Sequence, residues 1–162
     1  MKSKIWLSEP HIEKNELEQL KNGLNALNKT GSNTVISQFE KKIQNYLDED
    51  VEVAALNSGT AAIHLALLLA GVKKNDIVLC QSFTFCASVN PVSYVGAIPI
   101  FIDSEEETWN MSPELLEEAI KTYLSKGIKP KAIIAVHSFG MPAKMEDIVH
   151  ISRKYDITLI ED

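Results

Sequence analysis

The sequence predicts an α/β fold, an α/β/α sandwich on a mainly parallel sheet, from two observations. Five short apolar runs, Val51–Leu56, Ile77–Cys80, Ile98–Ile102, Ala132–Val136 and Ile157–Ile160, have the length and composition of strands buried on both faces. Segments with helical periodicity separate most of them, and that alternation makes βαβ units and a parallel sheet.

Taken in order, Leu17, Leu20, Leu24 and Leu27 fall at helical spacing and predict an amphipathic helix from residue 12 to 28. Lys29-Thr30-Gly31-Ser32-Asn33-Thr34 is a turn-rich break. A second helix carries Ile36, Phe39, Ile43, Tyr46 and Leu47 on one face and closes at Asp48-Glu49-Asp50. After the first strand run, Thr60–Leu69 reads as a helix with Gly71 as its C′ residue. The apolar stretch Ala61–Val72 predicts that this helix is buried; it is well short of the ~20 residues a membrane span needs. Ser112-Pro113-Glu114 supplies a cap and a first-turn proline for a helix continued by Leu115, Leu116, Ala119, Ile120 and Tyr123. Met145, Ile148, Val149 and Ser152 mark the last helix. The chain stops at Ile160-Glu161-Asp162, directly after a strand run, and from this we expect the first part of a longer protein.

Composition narrows the function classes. With 162 residues, 45% hydrophobic and 23% charged, the chain can bury one real core, which excludes a disordered tail, a collagen-like fibre or a disulfide miniprotein. The net charge of -6 and the lack of a basic block speak against a nucleic-acid surface. Cys80 and Cys86 are too few for a disulfide framework and lack zinc-site spacing, so no metal is expected. The stretch Met1–Leu7 reaches Ser8-Glu9-Pro10 before an apolar signal core can form. We therefore expect a cytoplasmic protein without membrane attachment.

In an open parallel sheet, ligands bind beyond the carboxyl ends of the strands. Those ends carry Asn57-Ser58-Gly59-Thr60-Ala61, Gln81-Ser82-Phe83-Thr84-Phe85, Asp103, His137-Ser138-Phe139-Gly140 and Asp162. Ser58-Gly59-Thr60 runs straight into a helix. It is either an ordinary N-cap or an anion cradle, since free N–H groups and the helix dipole attract a phosphate that glycine lets approach. It is neither a Walker loop nor a G-x-G-x-x-G fingerprint. Phe83 and Phe85 are either core or a plate for a flat heteroaromatic ring. Asp162 is either a cap or the partner of a protonated ring nitrogen. His137 reads foremost as a satisfied structural histidine, as do His11, His64 and His150. Asp103 with Ser104-Glu105-Glu106-Glu107 reads as a solvated loop. An anion cradle, an aromatic plate and a carboxylate together describe a pocket for pyridoxal phosphate.

The residues resemble the DegT family of pyridoxal phosphate-dependent nucleotide-sugar aminotransferases, within fold-type I. The matching stretches are Gly31-x-Asn33-Thr34…Phe39-Glu40, Asn57-Ser58-Gly59-Thr60-Ala61-Ala62-Ile63-His64-Leu65-Ala66-Leu67, and Gln81-Ser82-Phe83-Thr84-Phe85-x-Ala87-Ser88-x-Asn90. Pro99-Ile100-Phe101-Ile102-Asp103, Thr108-Trp109-Asn110-Met111-Ser112-Pro113, His137-x-x-Gly140-x-Pro142-Ala143-x-Met145 and Ile160-Glu161-Asp162 continue it. The resemblance implies that Gly59, Thr60 and Ala61 form the phosphate-binding turn, that Phe85 stacks on the pyridine ring and that Asp162 pairs with its nitrogen. It is nearest to members serving polysaccharide and surface-glycan biosynthesis. It implies a homodimer whose substrates are an amino acid donor, glutamate in most relatives, and a nucleotide-linked keto sugar.

The resemblance also places the Schiff-base lysine beyond residue 162, so no catalytic residue is assigned within the chain. Lys129, Lys131, Lys144 and Lys154 are expected to be solvated. On this reading residues 1–30 form an N-terminal arm and helix. Residues 31–162 form the N-terminal portion of the large domain, truncated before its remainder and the small C-terminal domain, and inactive alone. Two alternatives stand beside it: a sugar dehydratase of the same family, and a non-catalytic flavodoxin-like binding module.

Overall fold

The computed structural model describes Ile5, His11, Glu13 and residues 15–27, 35–47 and 50–162. The break at Lys29–Thr34, the closing Asp48-Glu49 and the motif residues Gly31, Asn33 and Thr34 lie outside the described residues. The chain divides into two compact units, Met1–Ala55 and Leu56–Asp162.

The first unit holds α1 (Glu16–Leu27) and α2 (Val35–Leu47), close to the helices the leucine and isoleucine spacing predicts. Leu17, Leu20 and Leu24 of α1 and Ile36 and Phe39 of α2 are more than half exposed. Val51–Leu56 forms no strand, contrary to expectation. A strand exists only through a partner ladder, and here α2 side chains take the backbone groups instead. Glu40 Oε1 accepts from the Ala55 N–H at 2.9 Å, and Gln44 Nε2 donates to the Val51 carbonyl at 2.8 Å.

In the second unit the order is α3 (Gly59–Leu69), β1 (Ile77–Gln81), α4 (Asn90–Tyr94), β2 (Ile98–Ile102), α5 (Pro113–Ser125), β3 (Ala132–Ala135), α6 (Met145–Tyr155) and β4 (Thr158–Glu161). The sheet runs β2-β1-β3-β4 and every pairing is parallel, with Leu79 opposite Ile100 and Ile133. Side chains alternate across the sheet, so Ile77, Leu79 and Ile133 join α5 and α6 on one face. Val78, Cys80, Ala132 and Ile134 join α3 and α4 on the other. The three layers of the α/β/α sandwich follow directly.

Only β1 and β3 are buried on both faces. β2 is an edge strand, with Ile98 44% and Phe101 57% exposed, which also explains how it tolerates Pro99. Helix α3 buries one side, Ile63 and Leu67, and leaves Leu69 80% exposed, so it is half-buried rather than enclosed. The caps are as the sequence predicts. Ser58 Oγ accepts from the Ala61 N–H, Ser112 Oγ accepts from the Leu115 N–H, and Gly71 adopts φ +69°. Helix α4 and the 3-10 turn Cys86–Ser88 were not foreseen; Pro91 in the first turn is the local signal for α4. No described helix is long and apolar enough to cross a membrane.

Candidate active site

The chain leaves β1 for β2 on one side and returns to β3 on the other, so the strand order reverses between β1 and β3. A crevice opens at such a switch point because the connections leave in opposite directions. A cavity of about 690 Å³ lies there, lined among others by Gly59, Thr60, Phe85, Ser88, His137 and Asp162. Of the five residues singled out from sequence, four therefore meet in one place, although they come from the start of α3, the loop after β1 and the end of β4. Ala61 does not line the cavity, and its N–H is held by the Ser58 cap at 3.2 Å.

The start of α3 has the properties of an anion site. Among the described residues the Gly59 and Thr60 amides have no acceptor, since first-turn amides have no intrahelical partner and the Ser58 cap takes only the Ala61 N–H. Apart from its chain neighbours and its own helix backbone, nothing lies within 4 Å of where a Gly59 Cβ would stand. Phe85, 77% exposed, is a cavity wall and not core; Phe83, 43% exposed, packs edge-on against Trp109 at 5.8 Å between centroids. Trp109 and Phe139 both hold positive φ, 63° and 55°, a conformation bulky residues seldom adopt outside functional loops.

Asp162 extends the β3–β4 pairing by one step. Its N–H donates to the Ala135 carbonyl at 2.9 Å and its carbonyl accepts from the His137 N–H at 3.2 Å. Its carboxylate Oδ2 accepts a hydrogen bond from Ser88 Oγ at 2.6 Å. His137 is satisfied on both ring nitrogens: Nδ1 accepts from the Ala143 N–H at 3.0 Å, which leaves Nε2 as the protonated nitrogen facing Glu161 Oε1 at 2.8 Å. It is the structural histidine the sequence suggests, and it lines the cavity as well.

Gln81, Asn110 and Ser138 form a buried network that sequence reasoning left without a role. The two Nε2 hydrogens of Gln81 are directed at Ser138 Oγ (2.8 Å) and the Phe83 carbonyl (2.9 Å), with Asn110 Oδ1 a longer shared contact at 3.2 Å, while Gln81 Oε1 accepts from the Met111 N–H (3.0 Å). Asn110 Oδ1 also accepts from the Ser138 N–H at 2.9 Å. These bonds tie the loop after β1 to the loop after β3, fixing both walls of the crevice. The signal was a polar residue, Gln81, ending an otherwise apolar strand.

The loop after β2 is more structured than a solvated turn. Glu105 accepts from the Thr108 hydroxyl, the Glu107 and Thr108 amides and Lys144, and these hold its carboxyl down at about 2. Lys144 pairs with Glu105 and Glu107, Lys154 with Glu117 at 2.6 Å and Lys129 with Asp156 at 2.8 Å. Of the four lysines expected to be solvated, three are thus in ion pairs. Burial pushes the Cys80 thiol up to about 12, leaving it inert at neutral pH.

This architecture is shared with solved enzymes. The chain superposes on the structure of NtdA from Bacillus subtilis, described with bound cofactor PMP, with a TM-score of 0.77 and 33% identity, over 93% of this chain and 34% of that one. The fold is that of the large domain of fold-type I pyridoxal phosphate-dependent transferases. Residues 10–162 match the DegT/DnrJ/EryC1/StrS aminotransferase family, and the chain belongs to it. EpsN of Bacillus subtilis (strain 168), assigned by name as a pyridoxal phosphate-dependent aminotransferase, is 43% identical over 162 residues, 100% of this chain and 42% of EpsN. GDP-perosamine synthase of Escherichia coli O157:H7 is 36% identical over 160 residues, 98% of this chain and 42% of that enzyme. The chain thus spans well under half the length of these relatives. The flavodoxin-like alternative gives way to this family.

Proposed function

We propose that the chain is the N-terminal part of the cofactor-binding large domain of a pyridoxal phosphate-dependent aminotransferase. The whole protein moves an amino group from an amino acid, with glutamate as donor, to a keto group on a nucleotide-linked sugar, for polysaccharide or glycan biosynthesis. It works as a cytoplasmic homodimer. One observation carries this reading: free helix-start amides, an exposed aromatic face and a carboxylate share one cavity. The relatives' coverage, and GDP-perosamine synthase among them, support the domain and the substrate class.

The residues fit the cofactor. The Gly59 and Thr60 amides, with the α3 dipole behind them, bind the phosphate, and the absence of a Cβ at Gly59 keeps the approach open. Phe85 offers a ring face to stack on the pyridine. Asp162 holds a proton on the ring nitrogen by supplying the opposite charge. Pyridoxal phosphate, when bound, supplies the electron sink and carries the amino group between substrates. The Gln81–Asn110–Ser138 network holds the walls so that these groups need not reorganise when the ligand arrives. The test is to give the whole protein ¹⁵N-labelled glutamate and nucleotide-linked keto sugars. An aminated sugar one mass unit heavier, with 2-oxoglutarate released, is expected; dehydration of the sugar without nitrogen transfer overturns the reading.

A further inference from the structure

We propose that Ser88 is the positioning residue for the Asp162 carboxylate, aiming its second oxygen at the ring nitrogen of the bound cofactor. This rests on the assignment of Asp162 made above. The backbone of Asp162 is pinned at its N–H by Ala135 of β3 and at its carbonyl by His137, just past that strand, so the freedom that remains is rotation of the side chain. Ser88 removes it. The carboxylate can only accept, so the Ser88 hydroxyl donates its one proton across the 2.6 Å contact to Oδ2. With that proton used, Ser88 Oγ must accept in its 3.0 Å contact with Thr84, whose hydroxyl is therefore the donor. The result is a one-way relay, Thr84 to Ser88 to Asp162. Among the described residues nothing donates to Oδ1, which stays available to a ligand N–H.

The placement of Ser88 supports a role beyond filling space. It is 4% exposed and so itself fixed by packing, yet it lines the cavity. It closes the 3-10 turn Cys86–Ser88, and its N–H donates to the Phe85 carbonyl at 3.0 Å. One short turn thus carries both the aromatic plate and the support of the carboxylate, coupling the height of the ring to the aim of the charge. A serine meeting no more than the needs of the core would not spend its hydroxyl on a cavity-lining carboxylate 74 residues away.

The experiment titrates the cofactor-free whole protein with pyridoxal phosphate and with its 1-deaza analogue, in which C–H replaces the ring nitrogen. The wild type is expected to prefer pyridoxal phosphate. In Ser88→Ala that preference falls about tenfold, as for loss of a hydrogen bond to a charged group, while affinity for the analogue changes less than about twofold. Ser88→Thr, which keeps the hydroxyl, restores the preference. Equal weakening of both ligands, or an undiminished preference in Ser88→Ala, overturns the proposal. A wild type without preference overturns the assignment of Asp162 itself, and the proposal with it.

Discussion

Replacing Gln81 by leucine roughly keeps the volume and removes at once every polar contact that Gln81 itself makes. The structure says which partners are then stranded. The Phe83 carbonyl keeps its bond from Ser138 Oγ at 3.0 Å, and Asn110 Oδ1 keeps the Ser138 N–H at 2.9 Å. The Met111 N–H keeps nothing, and Met111 is fully buried. An orphaned buried N–H costs about 1–3 kcal/mol and the lost bond to Ser138 about 1 kcal/mol more, for a total near 2–4 kcal/mol. Urea unfolding of the whole protein should shift by that amount at constant slope. Native-state hydrogen exchange is more local: protection of the Met111 amide should fall by at least about thirtyfold, the equivalent of 2 kcal/mol. A Gln81→Leu variant with unchanged stability and a still-protected Met111 amide refutes the view that the network holds the crevice.

Further outcomes follow from the same contacts. Asp162→Asn should leave the fold intact, since its backbone bonds to Ala135 and His137 remain, and should lower turnover of the whole protein about a hundredfold; wild-type turnover removes Asp162 from the site. Phe85→Ala should weaken cofactor binding in an absorbance titration near ~420 nm while leaving the urea midpoint unmoved, because the ring is 77% exposed and packs no core. Ser58→Ala, by freeing the Ala61 N–H, should cost about 1 kcal/mol in the same urea assay, and no loss contradicts the cap. Acid should weaken the fold in a defined window. Glu105 is held at about 2 by the Thr108 hydroxyl, then neighbouring amides and Lys144; Glu117 is held at about 2 by Lys121, Lys154 and Tyr155. Both bind protons less readily folded than unfolded, so their stabilisation is complete above the ordinary value of 4.5 and disappears as pH falls toward 2. The urea midpoint of a Glu105→Gln, Glu117→Gln double variant should therefore fall less steeply over that window; identical slopes contradict the assignment.

The alternation of apolar runs and helical faces carried the sheet, because β1 and β3 are enclosed and their sequences have no polar interruption before Gln81 and His137. Reading the residues at strand ends then led to the cavity, since a parallel sheet delivers those ends to one edge. What pattern alone could not convey was partnership. Val51–Leu56 has strand composition, yet whether it pairs depends on a neighbour the run itself does not specify, and Glu40 and Gln44 take its groups instead. Lys144 and Lys154 do reach solvent, but their ion pairs were not legible, because the carboxylate partners lie 37 positions away in sequence. The Ser88–Asp162 and Gln81–Asn110 bonds join residues 74 and 29 positions apart, and no local periodicity signals them.

The central claim is that one cavity at the switch point between β1 and β3 holds pyridoxal phosphate through helix-start amides, an aromatic face and a carboxylate. Its most direct test is a crystal structure of the whole protein grown with the cofactor. The account predicts the phosphate on the Gly59 and Thr60 amides, the ring against Phe85 and the ring nitrogen within hydrogen-bond distance of Asp162. A cofactor seated elsewhere, or one whose ring nitrogen faces no carboxylate, contradicts it.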